Sequence, residues 1–512
     1  MDKKEELNLA YRFFFEDNEL PHHDRARLET FIQGFLATLP ADQADMLSKG
    51  LLAQFGQLMR TPEGQKVVQG FFEQARTAAF DAGHHHLFEA WDRSILDGLY
   101  GEDIKAINEE GKDGQKSVLF VASIPYFLIL REALYLKERG YRVYLLCLSK
   151  VDDRTASAFE AVFERILHAD LSKRLMKAIM TALEPDLCHV QCWMMSYFFG
   201  RMALETMAGK RTKVISEFYD ITSLYAPRDD LVTKWDDRVV DLDLDCEKVI
   251  LENSDAVISR FPPDVASEWL AENGVPDLEH LEFQAYPCRE YFDHEPDKPS
   301  AKDGRIRLVY AGALIPPKGH PKTLFPEWGM VQAFEWILDQ GMMIDVYSPP
   351  QFENEKIHEL LIDFHRLIDR FPDSFRLLNG LPPGQLSQVL KPYDYGILLF
   401  NWEPGTDALR DLQKRGVMAT KLFTYLEAGL PVLVNAEYTG MAGFAEGNGV
   451  GLGIASETLP NLKSHLEEQD YQALVDGVLS YRDRHSMEKE IARLSGLYDE
   501  LLDSGKVATS DQ

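Results

Sequence analysis

Hydrophobic residues recur with two different spacings along this chain, and the spacing changes near residue 115. Before that point, three stretches carry apolar residues every three or four positions, which is typical of amphipathic helices. They read LETFIQGFLATL, SKGLLAQFGQLM and KVVQGFFEQARTAAFDA. After the polar stretch 108–116, short continuous apolar runs alternate with helical patterns. Such runs predict buried strands of a parallel sheet that is covered on both faces.

The first strand–helix–strand unit consists of KSVLFVAS, a helix that closes at Gly140, and YRVYLLCLS. The alternation continues with one helix over 155–182 and with further strands at PDLCHVQC, TKVISEFYD, DAVISR and LEFQAYP. The charged, proline-containing stretch 293–304 predicts a linker, and the same rhythm restarts at RIRLVYAGAL. The pattern predicts an α/β fold with two tandem doubly wound domains.

We therefore divide the chain into four parts. A helical N-terminal region (1–110) precedes a first Rossmann-like domain (111–298) on the acceptor side and a second one (299–474) on the donor side, and helices (475–512) end the chain.

One segment of the second domain combines a helix, a turn and a strand. ATKLFTYLEAGLPVLVNAEYTG, at 419–440, starts as an amphipathic helix, stops at Gly429 and continues as an apolar strand. Glycine suits the positive φ that often follows a helix. Lys421 lies in the first turn, where the helix dipole disfavours a cation. It is either an exposed lysine or the partner of an anion, such as a sugar-nucleotide phosphate, bound at the helix end.

Composition and charge limit the classes of partner that we expect for this protein. The 512 residues include 45% hydrophobic ones, and 83 acids against 54 bases give a net charge of −29. Such a chain as a whole repels nucleic acid and anionic lipid. The longest apolar run, 118–130, is too short to span a membrane, and the N-terminus has no apolar core of the signal-peptide type. Five cysteines without a CxxC pair favour a reducing cytoplasm.

Several common chemistries have no motif here. The chain has no P-loop, no GxGxxG after the strand at 117–123, no HExxH and no Cys/His metal set. The histidines at 22–23 and 84–86 are adjacent and read as exposed residues rather than ligands. We therefore expect no metal and no ATP or NAD of the usual kind.

Three segments of the second domain resemble motifs of a large GT-B glycosyltransferase family, which includes bacterial glycogen synthase and the phosphatidylinositol mannosyltransferases. They read YAGALIPPKG (310–319), LLNGLPPGQLSQVLKPYDYGILLF (377–400) and TKLFTYLEAGLPVLV (420–434). In the first domain, PDLCHVQ (185–191) and EKVILENSDAVIS (247–259) are similar to two further family motifs. Their order and spacing carry the resemblance, since no single motif is diagnostic.

The resemblance covers about residues 116–460. It implies the GT-B fold, with two Rossmann-like domains facing a cleft, and a nucleotide-sugar as substrate with no metal or other cofactor required by the fold. The donor-binding residues that it implies are Gly312, Lys318, Glu403, Lys421 and Thr424, and Arg410 is a further donor candidate as a replacement for a family arginine. On the acceptor side it implies His189, together with Gln191, which stands where the family has a second histidine.

Two donor positions depart from the family pattern. The arginine that would bind the diphosphate is Ala313, and the glutamate that would hold the ribose is Thr424. Glu427 comes nearly one turn later and is expected to point elsewhere. The chain therefore uses a variant donor set, or is slow or selective, or binds without catalysis. If the donor set is a variant one, Arg410, Arg415 and Lys421 would replace the missing arginine.

Two acids complete the candidate catalytic set of His189, Gln191, Glu217 and Asp220. Glu217 and Asp220 lie near the end of the strand KVISEFYD, where acids reach the cleft of a domain of this kind. Either could be the general base for an acceptor hydroxyl. For Asp220, capping of the next helix is an equally good interpretation.

The first functional hypothesis is a glycosyltransferase that moves a sugar from a nucleotide-sugar to a soluble acceptor, which is a protein, a glycan or a small metabolite. The second is a non-catalytic GT-B protein that binds a partner or a sugar nucleotide, which the changes at Ala313, Thr424 and Gln191 motivate. A sugar-nucleotide epimerase with the same fold is the third. Nucleic acid and a membrane span are not expected.

Overall fold

The computed structural model describes residues 85–110, 114–149, 151, 155–169, 173–312, 314, 330–348, 362–381, 383–399 and 409–507. The helices predicted before residue 85 lie outside the described residues, as do the candidate donor residues Lys318 and Glu403. Within the described N-terminal part, residues 85–110 are helical, in agreement with the sequence.

The first sheet has seven strands in the order β3-β2-β1-β4-β5-β6-β7. The pairings of β1 with β2 and with β4, of β2 with β3 and of β6 with β7 are parallel. The strands β1, β4 and β6 are buried along their whole length, and β2 and β5 at every residue after the first, as their continuous apolar sequences predict. Their bounds are β1 Ser117–Ala122, β2 Arg142–Cys147, β3 Arg165–His168, β4 Leu187–Cys192, β5 Lys213–Phe218, β6 Ala256–Ser259 and β7 His280–Glu282.

The second sheet has six strands in the order β10-β9-β8-β11-β12-β13, and all of its pairings are parallel. The chain runs outward from β8 to β10 and then resumes on the other side of β8 with β11. Ligands of open α/β sheets bind where the order reverses in this way, outside the carboxyl ends of the strands. The bounds are β8 Arg307–Ala311, β9 Met343–Ser348, β10 Phe375–Asn379, β11 Tyr395–Leu398, β12 Val432–Asn435 and β13 Gly451–Ile454.

Helices connect most successive strands. Those up to β8 are α1 His85–Glu110, α2 Phe127–Glu138, α3 Ala156–Val162, α4 Lys173–Ala182, α5 Tyr197–Met207, α6 Thr222–Tyr225, α7 Arg228–Leu231, α8 Asp237–Asn253, α9 Pro263–Glu272 and α10 Ser300–Asp303. Those that follow are α11 Met330–Asp339, α12 Ile362–Arg370, α13 Pro383–Leu390, α14 Asp411–Gly416, α15 Thr420–Glu427, α16 Thr439–Gly447, α17 Leu462–Glu467, α18 Tyr471–Arg484 and α19 Met487–Val507. Short 3-10 helices lie at Arg289–Tyr291 and Ser456–Asn461. None of the helices described here is long and apolar enough to cross a membrane.

By its contacts the chain forms two compact units. The first consists of residues up to Tyr126 together with Lys137–Ser216, and the second of Phe127–Leu136 together with Glu217–Gln512. Helix α2 is thus counted mostly with the second unit, although β1 and β2 on either side of it belong to the first. The four domain boundaries given above stay predictions.

The helix predicted over 155–182 is wrong. The chain there forms α3, then the strand β3 at Arg165–His168, then α4. β3 is an edge strand of only four residues, and its sequence RILH has no alternation that separates it from the helical pattern around it. Tertiary pairing with β2 decides its conformation, which local spacing does not show.

Candidate functional site

Lys421 reaches the point where the order of the second sheet reverses. Gly312 directly follows β8, and a Cβ atom built on it would lie 2.0 Å from Cε of Lys421. The lysine side chain therefore lies across Gly312, in space that any other residue would fill. Its Nζ is 5.7 Å from the centre of the Tyr310 ring, within cation–π distance. The structure thus brings together two predicted donor residues, Gly312 and Lys421.

Helix α15 holds Lys421 at this point because it is fixed to the sheet one turn later. The hydroxyl of Tyr425 accepts a hydrogen bond from the Ala311 N–H at 2.9 Å and donates one to the Ile397 carbonyl at 3.3 Å. Gly396 provides the room, since a Cβ there would overlap the Tyr425 ring. α15 is thereby attached to both β8 and β11 near their carboxyl ends. The strand ends and the first turn of α15 form one local site.

This site is suited to an anion. The residue before α15 is Ala419, which has no side-chain oxygen to cap the first turn. Among the residues that the structure describes, no carboxylate forms an ion pair with Lys421. N–H groups at a helix N-terminus and an ammonium group together favour a phosphate. We call Gly312, Tyr310, Lys421 and the first turn of α15 the β8 site.

Removing the space at Gly312 should weaken the β8 site without harming the fold. Gly312 does not have a positive φ, so alanine is compatible with its backbone. The new Cβ would displace the flexible end of Lys421, so we expect Gly312→Ala to weaken binding of a phosphate-bearing ligand at the β8 site several-fold, as measured by calorimetric titration.

The same substitution should change nothing further in a chain that already carries Lys421→Ala, because its effect acts through the lysine. Gly443→Ala is the matched control, since a Cβ at Gly443 meets open space. Equal losses with and without Lys421 would contradict the proposed contact.

The other described donor candidates are placed as follows. Thr424 is buried in α15, one turn after Lys421. Arg410 donates to the Ser223 carbonyl at 2.6 Å and pairs with Glu272 at 3.3 Å. Arg410 is therefore already engaged, and a phosphate would have to compete with Glu272. Its role at the donor stays a prediction, as does that of Thr424.

Arg415 and Glu427 have partners of their own. Arg415 pairs with two acids of α9, Asp264 at 2.8 Å and Glu268 at 3.0 Å. Glu427 points into the protein interior, as expected from its position, and pairs with Arg131 at 2.9 Å. Of the three basic residues offered as a variant donor set, Lys421 is thus the one without an acidic partner among the described residues.

Glu217 lies next to a second carboxyl group. Its Oε2 accepts a hydrogen bond from the Tyr219 hydroxyl at 2.9 Å, and its side chain is also hydrogen-bonded to Glu132 of α2. Both carboxyl groups are 3% exposed. Burial, together with the charge of Glu217, raises the pKa of Glu132 well above its usual range. The environment of the pair therefore favours the protonated form of Glu132.

Asp220 follows β5 and is about one-third exposed, with Oδ1 3.7 Å from the Arg260 guanidinium. Arg260 also donates to the Tyr219 carbonyl at 2.6 Å and to the Met418 carbonyl at 3.0 Å. The N-cap residue of the helix after β5 is Ile221 and not Asp220. Asp220 is thus a more accessible acid than Glu217, held beside a fixed cation.

His189 and Gln191 belong to β4 in the first unit. His189 pairs with Phe120 in the register of β1 and β4, and its ring stacks on the Phe120 ring at a centroid distance of 4.9 Å. Both His189 and Gln191 are buried. Their catalytic roles stay predictions.

Sequence reasoning missed Arg131, Glu132 and Tyr310. A signal for the first two is present, because two adjacent charges interrupt the apolar helix FLILREALYL and both are buried in the structure. Charged residues are almost never fully buried unless they are paired. Tyr310 carries no such signal, because its contact with Lys421 joins distant parts of the chain.

Glu132→Gln should change how stability depends on pH. Because the folded-state pKa of Glu132 is raised, the folded protein binds one more proton than the unfolded chain between the ordinary carboxyl pKa and the raised one. This stability is fully present below the ordinary pKa and is lost as pH rises, by about 1.4 kcal/mol per unit. Glutamine mimics the protonated form, so urea midpoints of the variant should depend less on pH above pH 5.

Glu138→Gln, at the exposed end of the same helix, is the control and should keep the wild-type dependence. A Glu132→Gln protein with an unchanged slope would show that Glu132 is ionised in the folded state.

Comparisons with known proteins establish the fold. No protein-family model matches the chain, and no curated protein is found to match it. The structure of Anabaena HepE in complex with UDP is similar over 75% of this chain and 100% of that chain, with 12% identity and a TM-score of 0.50. At this identity the likeness shows the fold alone. Together with the strand orders of both sheets, it confirms the GT-B fold predicted from the sequence.

Two further solved structures are similar at lower TM-scores. An O-GlcNAc transferase of Thermobaculum terrenum matches 90% of this chain and 84% of that chain, with 11% identity and a TM-score of 0.47. The S. aureus MnaA–UDP structure matches 75% of this chain and 97% of that chain, with 13% identity and a TM-score of 0.47.

Proposed function

We propose that this protein is a glycosyltransferase that binds a nucleotide-sugar at the β8 site and transfers the sugar to a soluble acceptor, a protein or a glycan. The observation that carries the proposal is that the Lys421 side chain lies across Gly312. This glycine follows β8, the strand at which the strand order of the second sheet reverses. The position at the carboxyl end of β8, the uncapped start of α15 and the ammonium group of Lys421 all suit a diphosphate. UDP is the first nucleotide to test, because the HepE structure contains it.

In the reaction, an acceptor hydroxyl forms a bond to the anomeric carbon of the sugar, and the bond from that carbon to the diphosphate oxygen breaks. Negative charge then accumulates on the leaving diphosphate, where Lys421 and the α15 N–H groups stabilise it. This supply of positive charge supports transfer without a metal ion or other cofactor. The hydroxyl proton passes to a carboxylate, for which Asp220 and the Glu132–Glu217 pair are the candidates.

Bulk properties support a soluble acceptor in a reducing compartment. The net charge of −29 works against attachment to an anionic lipid surface. All five cysteines are buried free thiols, which suits the cytoplasm.

Epimerisation of a sugar nucleotide is the second candidate function. The observation that favours it is the Glu132–Glu217 pair, because two carboxyl groups that share a proton suit a reaction in which a proton is removed and returned. The β8 site has the same task in both reactions, namely binding the nucleotide diphosphate.

Ligand-induced stabilisation tests the proposal. Melting temperatures of the complete chain are measured with UDP, GDP, ADP and CMP, because a ligand that binds only the folded state raises its stability. At a hundred times the dissociation constant the gain is about 2.7 kcal/mol. We expect one nucleoside diphosphate to stabilise the protein and Lys421→Ala to abolish most of the shift. No shift with any nucleotide would contradict the proposal.

The matching nucleotide-sugar then separates the candidates. Release of nucleotide in the presence of acceptors indicates transfer, and a changed sugar without release indicates epimerisation. Binding without either change over hours supports the non-catalytic alternative.

A further inference from the structure

The end of α15 opposite Lys421 is fixed by a buried ion pair. The Glu427 carboxylate accepts hydrogen bonds from the Arg131 guanidinium at 2.9 Å and from the Cys288 N–H at 2.8 Å. The Arg131 and Glu427 side chains are 2% and 0% exposed. Glu427 is the last residue of α15, so the pair joins this helix to α2.

The backbone of Glu427 is held as well. Its carbonyl accepts hydrogen bonds from the Asp293 N–H at 2.9 Å and from the Arg482 guanidinium at 2.8 Å. Arg482 also donates to the Asp293 carbonyl at 2.7 Å. The C-terminal end of α15 is thus bonded to three other segments, which leaves little freedom for the helix to shift along its axis or to rotate.

Arg131 is itself oriented by its surroundings. It donates to the Ala285 and Tyr286 carbonyls, each at 3.3 Å, and its guanidinium faces the rings of Phe127 and Tyr291 at 5.1 and 5.7 Å. Because the guanidinium is planar and has several fixed partners, it fixes the position of the group that it binds as well as supplying a charge. The Glu427 carboxylate is therefore held at a defined place relative to these carbonyls.

This fixed end lies close to the β8 site along one rigid element. Lys421 precedes Glu427 by six residues of a continuous helix, about 9 Å along its axis. A shift of α15 at Glu427 therefore moves Lys421 relative to Gly312. The space there is narrow, because a Cβ on Gly312 would already overlap the lysine chain.

Stability alone does not account for a buried ion pair, because apolar residues of similar volume often stabilise a core equally well. We propose that Arg131 is a positioning residue for the β8 site, which fixes α15 through Glu427 so that Lys421 lies across Gly312 where a diphosphate can reach it. As a statement about the ligand, this inference rests on the proposed function. The position of Lys421 itself can be measured without any ligand.

The test removes both charges together, in Arg131→Met/Glu427→Gln, so that no unpaired charge remains in the interior. Reductive ¹³C-methylation of the lysines makes Lys421 visible by NMR, and Lys421→Arg identifies its signal by loss. In the wild type the Tyr310 ring should shift this signal upfield, and Tyr310→Leu should abolish the shift. Tyr425 still attaches α15 to the sheet in the double variant, so we expect it to lose part of the shift and to bind UDP several-fold more weakly, while it melts as a folded protein.

Two further variants complete the design. Arg131→Lys keeps the charge and should restore an intermediate ring shift and affinity, and it decides the question if the double variant does not fold. Arg228→Met/Asp241→Asn removes an ion pair of the same unit whose side chains are 44% and 55% exposed, and it should leave both readouts unchanged.

The outcomes separate the inference from the proposed function. If the folded double variant keeps the wild-type ring shift and binds UDP within twofold of the wild type, the inference is wrong and the proposed function is unaffected. If the wild type binds no nucleotide but the Lys421 signal still moves in the double variant, the proposed function is wrong and the positioning role stands.

Discussion

Replacing Lys421 with alanine should weaken binding of the nucleoside diphosphate roughly ten- to hundredfold. A hydrogen bond to a charged group contributes about 1.5–3 kcal/mol, and 1.4 kcal/mol corresponds to a factor of ten. The end of the Lys421 side chain lies against Gly312, directly after β8, and no acid among the described residues pairs with it, so its ammonium group is available to the phosphates. Calorimetric titration with the nucleotide identified by melting shifts measures the loss.

The same variant should fold as well as the wild type. Lys421 occupies the first turn of α15, where a cation opposes the helix dipole, so its removal leaves the melting temperature of the free protein unchanged or slightly higher. Lys302→Ala, at an exposed position of α10, is the matched control and should alter neither quantity. An affinity within twofold of the wild type would show that Lys421 is a surface lysine and that the β8 site is not the donor site.

Much of the fold follows from local patterns. Buried parallel strands such as β1, β4 and β12 are continuous apolar runs, and helix ends are marked by glycines, among them Gly140 and Gly429, which both have positive φ. These signals depend on residues close together in the chain. β3 was missed because its conformation depends on pairing with β2 and not on its own four residues.

The site divides in the same way. The sequence 419–440 predicts that Lys421 lies in the first turn of a helix. A cation is unfavourable there, so its presence points to a bound anion. The sequence does not predict the contact of Lys421 with Gly312, because these residues are far apart in the chain and the glycine has ordinary backbone angles. The partner of Glu427 was equally hidden, since Arg131 lies in another strand–helix–strand unit.

Breaking the Arg131–Glu427 pair from one side should produce the largest loss of stability among these variants. Arg131→Ala leaves the Glu427 carboxylate buried with the Cys288 N–H and the more distant Arg482 for compensation. Breaking a buried pair in this way costs about 3–5 kcal/mol. For domains of this size each kcal/mol lowers the melting temperature by about 2–4 °C, so a decrease of roughly 6–20 °C is expected.

Removing both charges should restore most of this loss, because Arg131→Met/Glu427→Gln leaves no unpaired ion in the interior. Burial raises the pKa of Glu427 whereas Arg131 lowers it, so the carboxylate depends on the guanidinium to remain ionised. The single variants Arg131→Met and Glu427→Gln and the double variant therefore form a cycle with a large coupling energy, measured from urea and thermal midpoints. The exposed pair Arg228–Asp241 should give less than about 1 kcal/mol in the same cycle. Equal coupling at the two pairs would mean that water reaches Arg131 and Glu427, and α15 would then not be fixed at this end.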